Sequence, residues 1–140
     1  MEFIVGTALA LFVCGGTAWL GMHRDRAFYP TVVIVVASYY VLFAVLGGSD
    51  GALLSEIAIA AVFTGFAVAG FKRNPWLVVV ALAGHGLMDF VHHGLVDNAG
   101  VPATWPGFCA AFDLTAAAFV GWVLAFRGDY KGKLPEPGRP

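Results

Sequence analysis

The stretch that decides the fold is residues 28–46, FYPTVVIVVASYYVLFAVL, which contains no charged side chain. A helix needs about 20 apolar residues to cross the roughly 30 Å hydrocarbon core of a bilayer, and this stretch has that length. The sequence therefore predicts an all-α fold, a bundle of five transmembrane helices over residues 1–126 followed by a polar tail at 127–140. The other four predicted spans are residues 3–22, 53–71, 75–96 and 105–126.

The composition excludes several classes of protein. Hydrophobic residues make up 59% of the chain and charged residues 12%, whereas ordinary globular chains are about 45–50% apolar and about 25% charged. A soluble enzyme domain of this size would leave too much apolar surface in water, and a disordered tail would not contain it. The net charge of −1 offers no basic patch for nucleic acid. We therefore expect membrane lipid as the partner and no nucleic acid.

The positively charged residues predict the orientation of the five helices. An excess of Lys and Arg marks cytoplasmic segments, and in the five-span arrangement every Lys and Arg falls on one side of the membrane. We therefore expect the N-terminus outside and the C-terminal tail in the cytoplasm. These residues are Arg24 and Arg26 after the first span, Lys72 and Arg73 after the third, and Arg127, Lys131, Lys133 and Arg139 after the fifth.

Ionisable side chains inside the predicted helices mark a candidate site. Each costs about 2.5–3.5 kcal/mol at mid-bilayer even on a lenient insertion scale, so partners are expected for them. Successive residues are about 100° apart on a helix, so His85, Asp89 and His92 form one stripe and His93 lies about 80° off it. The neighbouring spans bring further carboxylates to a similar depth, in the outer half of the bilayer. The set comprises Glu56, His85, Asp89, His92, His93 and Asp113.

Histidine combined with carboxylate predicts a metal site. These groups are ligands of first-row metals, and imidazole suits zinc and iron. Ligands at i and i+4 can reach one ion from a single helix face. We therefore predict a divalent metal ion, zinc or iron, serving hydrolase or oxidoreductase chemistry in the membrane. Glu56 is a candidate general base or a further ligand, and Asp89 is either a ligand or a carboxylate that orients a ligating histidine, so these two are the candidate catalytic residues. The candidate ligands are His85, Asp89, His92, His93 and Asp113.

The same residues support two other interpretations. Chains of Asp and His also relay protons, so a proton-coupled or metal-ion transporter using these groups is the second hypothesis. The third is a structural or accessory subunit in which the polar side chains satisfy one another. The sequence leaves open whether the protein is an enzyme, and a homodimer fits any of the three.

Other polar residues receive simpler interpretations. We interpret Cys109, which lies in an apolar run, as a small apolar residue, and Asn98 as part of a turn after the fourth span. Hydroxyl groups at mid-depth on the second span are candidate hydrogen-bond donors to the site. They belong to Ser38, Tyr39 and Tyr40.

Two strings carry a resemblance to known proteins. HGLMDFVHH at residues 85–93 and WPGFCAAFD at residues 105–113 resemble a pattern of small, uncharacterised bacterial integral membrane proteins. The resemblance implies a recurring site without a known activity, and we expect the bacterial inner (plasma) membrane as the location. Intramembrane His and Asp are also similar, by analogy only, to ceramidase and adiponectin-receptor-like membrane hydrolases. Those hydrolases have seven spans and a zinc site from histidines on separate helices, whereas this chain has five predicted spans and lacks their HxxxH spacing.

Overall fold

The computed structural model describes residues 1–127 and shows a bundle of five helices joined by short connections. In that part of the chain there is no strand, and all five helices are long and apolar enough to cross a membrane. The predicted all-α fold is confirmed, and so is the prediction of five helices with the length and composition of membrane spans. The predicted tail, beyond Arg127, lies outside the described residues. The helices are α1 (Glu2–Trp19), α2 (Phe28–Gly47), α3 (Asp50–Lys72), α4 (Trp76–Leu95) and α5 (Trp105–Trp122), which a π-helical turn (Val123–Arg127) continues.

The helix ends coincide with breaker residues between the apolar stretches. Gly48 follows α2 in the left-handed conformation, with φ at 66°, which glycine adopts without a steric penalty. The Ser49 side chain then caps α3 by accepting a hydrogen bond from the backbone N–H of Ala52 at 3.3 Å. The Asn74 side chain accepts one from the backbone N–H of Trp76 at 3.0 Å at the start of α4. From α2 to α5, successive helices are antiparallel neighbours, whereas α1 packs on α5 rather than on α2.

Two glycines permit close contacts of α5, which packs against both α1 and α4. A Cβ atom at Gly6 would overlap the backbone carbonyl oxygen of Phe108, so α1 lies directly on the α5 backbone. A Cβ atom at Gly86 would lie 3.1 Å from the Cβ of Asp113. Small residues at such positions let membrane helices approach closely. The contact at Gly86 brings the polar side chains of α4 and α5 together.

The two ends of the bundle differ in charge, and its two halves differ in their cores. The cations lie after α1, after α3 and after α5, and we call this the basic end. The loops between α2 and α3 and between α4 and α5 form the opposite end. Near the basic end the core is apolar, with side chains that include Val33, Val78, Leu82, Val120 and Val123. The described cations of the basic end are Arg24, Arg26, Lys72, Arg73 and Arg127.

Large apolar side chains cover the outside of the bundle. Phe12 is 77% exposed, Leu46 71% and Phe126 78%. Apolar surface on this scale would drive association in water, whereas the hydrocarbon of a bilayer accommodates it. Together with the length and hydropathy of the helices, this surface indicates a multi-pass membrane protein.

Candidate metal centre

The site begins with the buried face of α4. The predicted stripe of His85, Asp89 and His92 is fully inside the bundle, with at most 1% of each residue exposed. The face is continuous because these positions follow Leu82 at helical spacing. His93, whose place relative to the site the sequence left open, is exposed on another face of the helix.

His85 is at the centre of the first cluster of polar side chains. Its Nδ1 and Asp113 Oδ2 on α5 are 2.7 Å apart and share a hydrogen bond. Asp89, one turn along α4, places Oδ2 at 3.7 Å from the same nitrogen. The Phe63 ring of α3 lies edge-on to the imidazole, with ring centroids 4.9 Å apart. The predicted association of His85, Asp89 and Asp113 across two antiparallel helices is therefore present.

Cys109 completes this cluster. The sequence analysis did not predict this, because it interpreted Cys109 as a small apolar residue. It lies one turn before Asp113 on α5 and is 2% exposed. Its Sγ is 3.8 Å from Asp113 Oδ2. A spacing of four residues from an intramembrane carboxylate was the available signal, but the apolar surroundings of the cysteine favoured a packing role. We call the four residues the His85 cluster: His85, Asp89, Cys109 and Asp113.

The His85 cluster has the ligands and the spacing for one metal ion. Each residue offers one ligand atom, and the four atoms lie within 4.8 Å of one another. In tetrahedral zinc sites the ligand atoms lie about 2.0–2.3 Å from the ion and hence about 3.3–3.8 Å from one another. The 3.7 Å and 3.8 Å separations given above already match, and the His85–Asp113 hydrogen bond would open by about 0.6 Å around an ion.

Unsatisfied polar atoms provide a second, independent sign of a missing partner. His85 Nε2, Asp89 Oδ2 and Asp113 Oδ1 are buried and have no hydrogen-bond partner among the described residues. Leaving a buried polar atom without a partner costs about 1–3 kcal/mol. Two of these atoms, Asp89 Oδ2 and Asp113 Oδ1, belong to the carboxylates that face His85 Nδ1, where an ion would be their partner.

A second cluster lies closer to the opposite end of the bundle. His92 Nε2 and Glu56 Oε1 are 2.8 Å apart and share a hydrogen bond. The side-chain amide of Asn98 donates to the same Glu56 oxygen at 3.0 Å and to the backbone carbonyl of Tyr40 at 3.1 Å. We call His92, Glu56 and Asn98 the Glu56 cluster. The polar residues that the sequence predicts in one layer thus form two clusters. His92 is not among the four residues whose ligand atoms lie close enough together to hold one metal ion.

Tyr40 joins the two clusters. Its hydroxyl donates to Asp89 Oδ1 at 2.6 Å, and its ring stacks on His92 with centroids 4.0 Å apart. The sequence predicted a donor on the second span, and Tyr40 is that donor. The other two candidates do not reach the site, since Ser38 bonds the backbone carbonyl of Val35 and Tyr39 packs on the Trp105 ring.

Asn98 differs from its interpretation as a turn residue alone. Its Oδ1 does accept the backbone N–H of Gly100 at 3.2 Å, which is turn chemistry. The side chain is nevertheless 4% exposed and its amide nitrogen reaches into the bundle. An asparagine directly after a span gives no sequence signal that separates these two roles.

The chemistry of the His85 cluster follows from its donors. Imidazole nitrogen, carboxylate oxygen and thiolate sulfur form a mixed set that suits zinc or iron better than magnesium or calcium, which favour oxygen alone. The fold and this cluster define a five-helix protein of membrane-spanning composition with a buried site of metal-ligand residues. Compared with known protein families, curated proteins and solved structures, the chain matches none of them. The family resemblance of residues 85–93 and 105–113 therefore stays a prediction.

Proposed function

We propose that this chain is an integral membrane protein that holds a divalent metal ion, zinc or iron, at the His85 cluster. One observation carries the proposal: ligand atoms from four residues lie within 4.8 Å of one another on two helices, all buried. The unsatisfied oxygens of Asp89 and Asp113 support it, because an ion held between these carboxylates and His85 Nδ1 would give them a partner. The ligand set keeps three of the five ligands predicted from the sequence, adds Cys109 and leaves out His92 and His93.

The orientation is part of the proposal. The five described cations at the basic end support a cytoplasmic location for that end, and hence an external N-terminus. The His85 and Glu56 clusters then lie in the outer half of the bilayer. The membrane would be the bacterial inner membrane, in keeping with the resemblance of residues 85–93 and 105–113.

The chemistry proposed is that of a membrane-embedded hydrolase or oxidoreductase. A metal ion with an open coordination position supplies an activated water or a redox centre. Asp89 accepts a hydrogen bond from the Tyr40 hydroxyl, which would fix the orientation of its carboxylate. That carboxylate would place a negative charge beside the ion. Glu56 is bonded to His92 and Asn98 rather than placed in the His85 cluster. Its role as a base stays a prediction, because His92 and Tyr40 contact each other by ring stacking, which passes no proton between Glu56 and the His85 cluster.

Transport is less well supported than a closed site. A route across the membrane needs polar groups through both halves of the bundle. Between His85 and the basic end, the buried residues of α4 are Leu82, Ala81 and Val78, all of them apolar. This apolar core weighs against a continuous path for a proton or an ion in the described conformation.

A homodimer also stays a proposal. Ala61 and Gly65, which the four-residue spacing of small residues on α3 places on one stripe, are exposed on the outside of the bundle. Stripes of small residues allow close helix contacts between protomers as well as within one. This face of α3 is the one we would assign to the contact.

Metal analysis of the detergent-purified protein tests the proposal. We expect about one zinc or iron ion per chain in the wild type, as for structural metal sites that form with the fold. His85→Ala and Asp113→Ala should lose the ion, whereas His93→Ala, an exposed imidazole on the same helix, should keep it. His92→Ala tests whether the Glu56 cluster takes part in metal binding. This variant should keep the ion if the His85 cluster alone binds it.

Cobalt substitution provides a readout that does not depend on activity. Bound Co²⁺ should give a thiolate-to-metal absorption band that disappears in Cys109→Ser. Each variant should elute as the wild type does on size exclusion, so that loss of metal is not loss of fold. Wild type without metal above background, both as purified and after reloading, would favour the structural interpretation instead.

A further inference from the structure

An apolar cavity of about 340 Å³ lies between α2 and the pair formed by α1 and α5. It exists because α2 packs mainly against α3. One face of α2 lines it, from Phe28 through Val32 and Val36 to Tyr39, and the thiol-bearing Cys109 of α5 lines it from the other side. The volume falls in the range of about 300–1,000 Å³ that is typical of pockets for small molecules.

The cavity is long and narrow. Phe28 and Tyr39 are separated by about 16 Å along the helix axis, at 1.5 Å per residue. A volume of about 340 Å³ spread over that length indicates a narrow groove. A helix with its side chains is about 10–12 Å across, so neither a second copy of this chain nor a helix of another protein fits. The shape suits a hydrocarbon chain lying parallel to the helices.

The cavity is closed toward the opposite end of the bundle and open at its side. The Trp105 ring lies 4.9 Å, centroid to centroid, from the rings of both Tyr39 and Phe43 and closes that end. Leu9 and Val35, which line the cavity, are 41% and 45% exposed on the outside of the bundle. The opening therefore faces the hydrocarbon that would surround the bundle in a membrane.

Two polar groups lie toward the closed end. Cys109 belongs both to the cavity wall and to the His85 cluster, with its Sγ 3.8 Å from Asp113 Oδ2. Trp105 also lines the cavity, and its indole N–H is buried without a hydrogen-bond acceptor among the described residues. A carbonyl oxygen of a bound molecule would satisfy this donor, which otherwise costs about 1–3 kcal/mol.

We infer that the cavity binds the hydrocarbon chain of a membrane lipid that carries an ester or amide carbonyl. The chain lies along α2, and the carbonyl accepts the Trp105 indole N–H beside Cys109. The lipid is thereby placed at the edge of the His85 cluster, which makes it the substrate class of the proposed metal centre. Its role as a substrate rests on the proposed function, whereas its binding does not.

Photocrosslinking tests the binding. The probe is a methyl palmitate analogue with a diazirine at the middle of the chain, added to detergent-purified protein at low occupancy. Labelled peptides should map to residues 28–39 and 105–112. Val32→Trp, which fills the cavity, should abolish this labelling, whereas Leu42→Trp, on an exposed position of α2 outside the cavity, should leave it unchanged. Trp105→Phe keeps the ring and should weaken binding severalfold.

Competition and metal analysis separate the possible failures. Unlabelled methyl palmitate should displace the probe, and hexadecane, which lacks a carbonyl, should do so much less well. Equal competition by hexadecane overturns the role of Trp105, and labelling spread evenly over the exposed helix faces overturns the cavity itself. Metal bound without specific labelling would defeat this inference alone, whereas specific labelling without metal would defeat the proposed metal centre and leave the lipid site standing.

Discussion

The two halves of the α4–α5 contact are made by the same pair of helices and yet bury opposite kinds of side chain. Near the basic end, Val78 and Leu82 of α4 pack with Val120 of α5, all fully buried. Two turns further along, His85 and Asp89 of the same α4 face meet the carboxylate of Asp113.

The difference teaches that only one half is arranged for stability. Between membrane helices the gain comes from close packing, which the apolar half supplies at little cost. The polar half contains buried atoms without partners and would be more stable if it were apolar. The unpartnered oxygens in this half are among the observations on which the proposed metal centre rests.

The largest expected effect is in the apolar half. Leu82→Ala should lower the free energy of unfolding by about 2–5 kcal/mol, because a fully buried side chain leaves a cavity that the helices only partly fill. Metal content should stay at the wild-type level. Unfolding by SDS in mixed micelles, followed by tryptophan fluorescence, measures the free energy of unfolding. Loss of the metal together with stability would show that the two halves are not independent.

The next effect has the opposite sign and lies in the polar half. Replacing the buried ionisable residues together, His85→Leu with Asp89→Asn and Asp113→Val, should leave the metal-free protein as stable as the wild type or up to about 4 kcal/mol more stable. The same SDS titration in the presence of a chelator measures it. A clear loss of stability would mean that the polar network holds the bundle together, and the comparison between the two halves would then break.

A smaller effect is expected where the two polar clusters meet. Tyr40→Phe removes the hydroxyl that donates to Asp89 Oδ1, and leaving that oxygen unsatisfied should cost about 1–3 kcal/mol of unfolding free energy. Tyr39→Phe is the matched control, because Tyr39 is exposed and its change should have little effect. If the two variants behave alike, Tyr40 does not couple the clusters.

Much of the fold was predictable because membrane helices are defined by local properties. The length of each apolar stretch and the breakers between them indicated the five helices. The spacing of His85, Asp89 and His92 indicated that they share a face, and costly ionisable groups indicated that this face is buried. The presence of Asp113 beside His85 also followed, since antiparallel neighbours of known length meet at a calculable depth.

The membership of each cluster was less predictable. Cys109 has no charge, so its position in an apolar run concealed its proximity to Asp113. Asn98 looked like any turn residue, and its burial depends on how the loop after α4 folds back over α2 and α3. The cavity beside α2 has no signature at all in the sequence, because it is a space that three helices leave between them.

By itself, the sequence determined the number of helices, the buried stripe on α4 and the depth of its polar residues, because each of these depends on spacing along one helix. Only the tertiary structure decided that His85 pairs with Asp113 and His92 with Glu56. It also decided that Cys109 lies between the polar cluster and the cavity. The physical reason is that spacing along one helix fixes which face a side chain occupies, whereas its partner depends on the rotation and separation of the facing helices. Contacts such as the one at Gly86 set that rotation and separation.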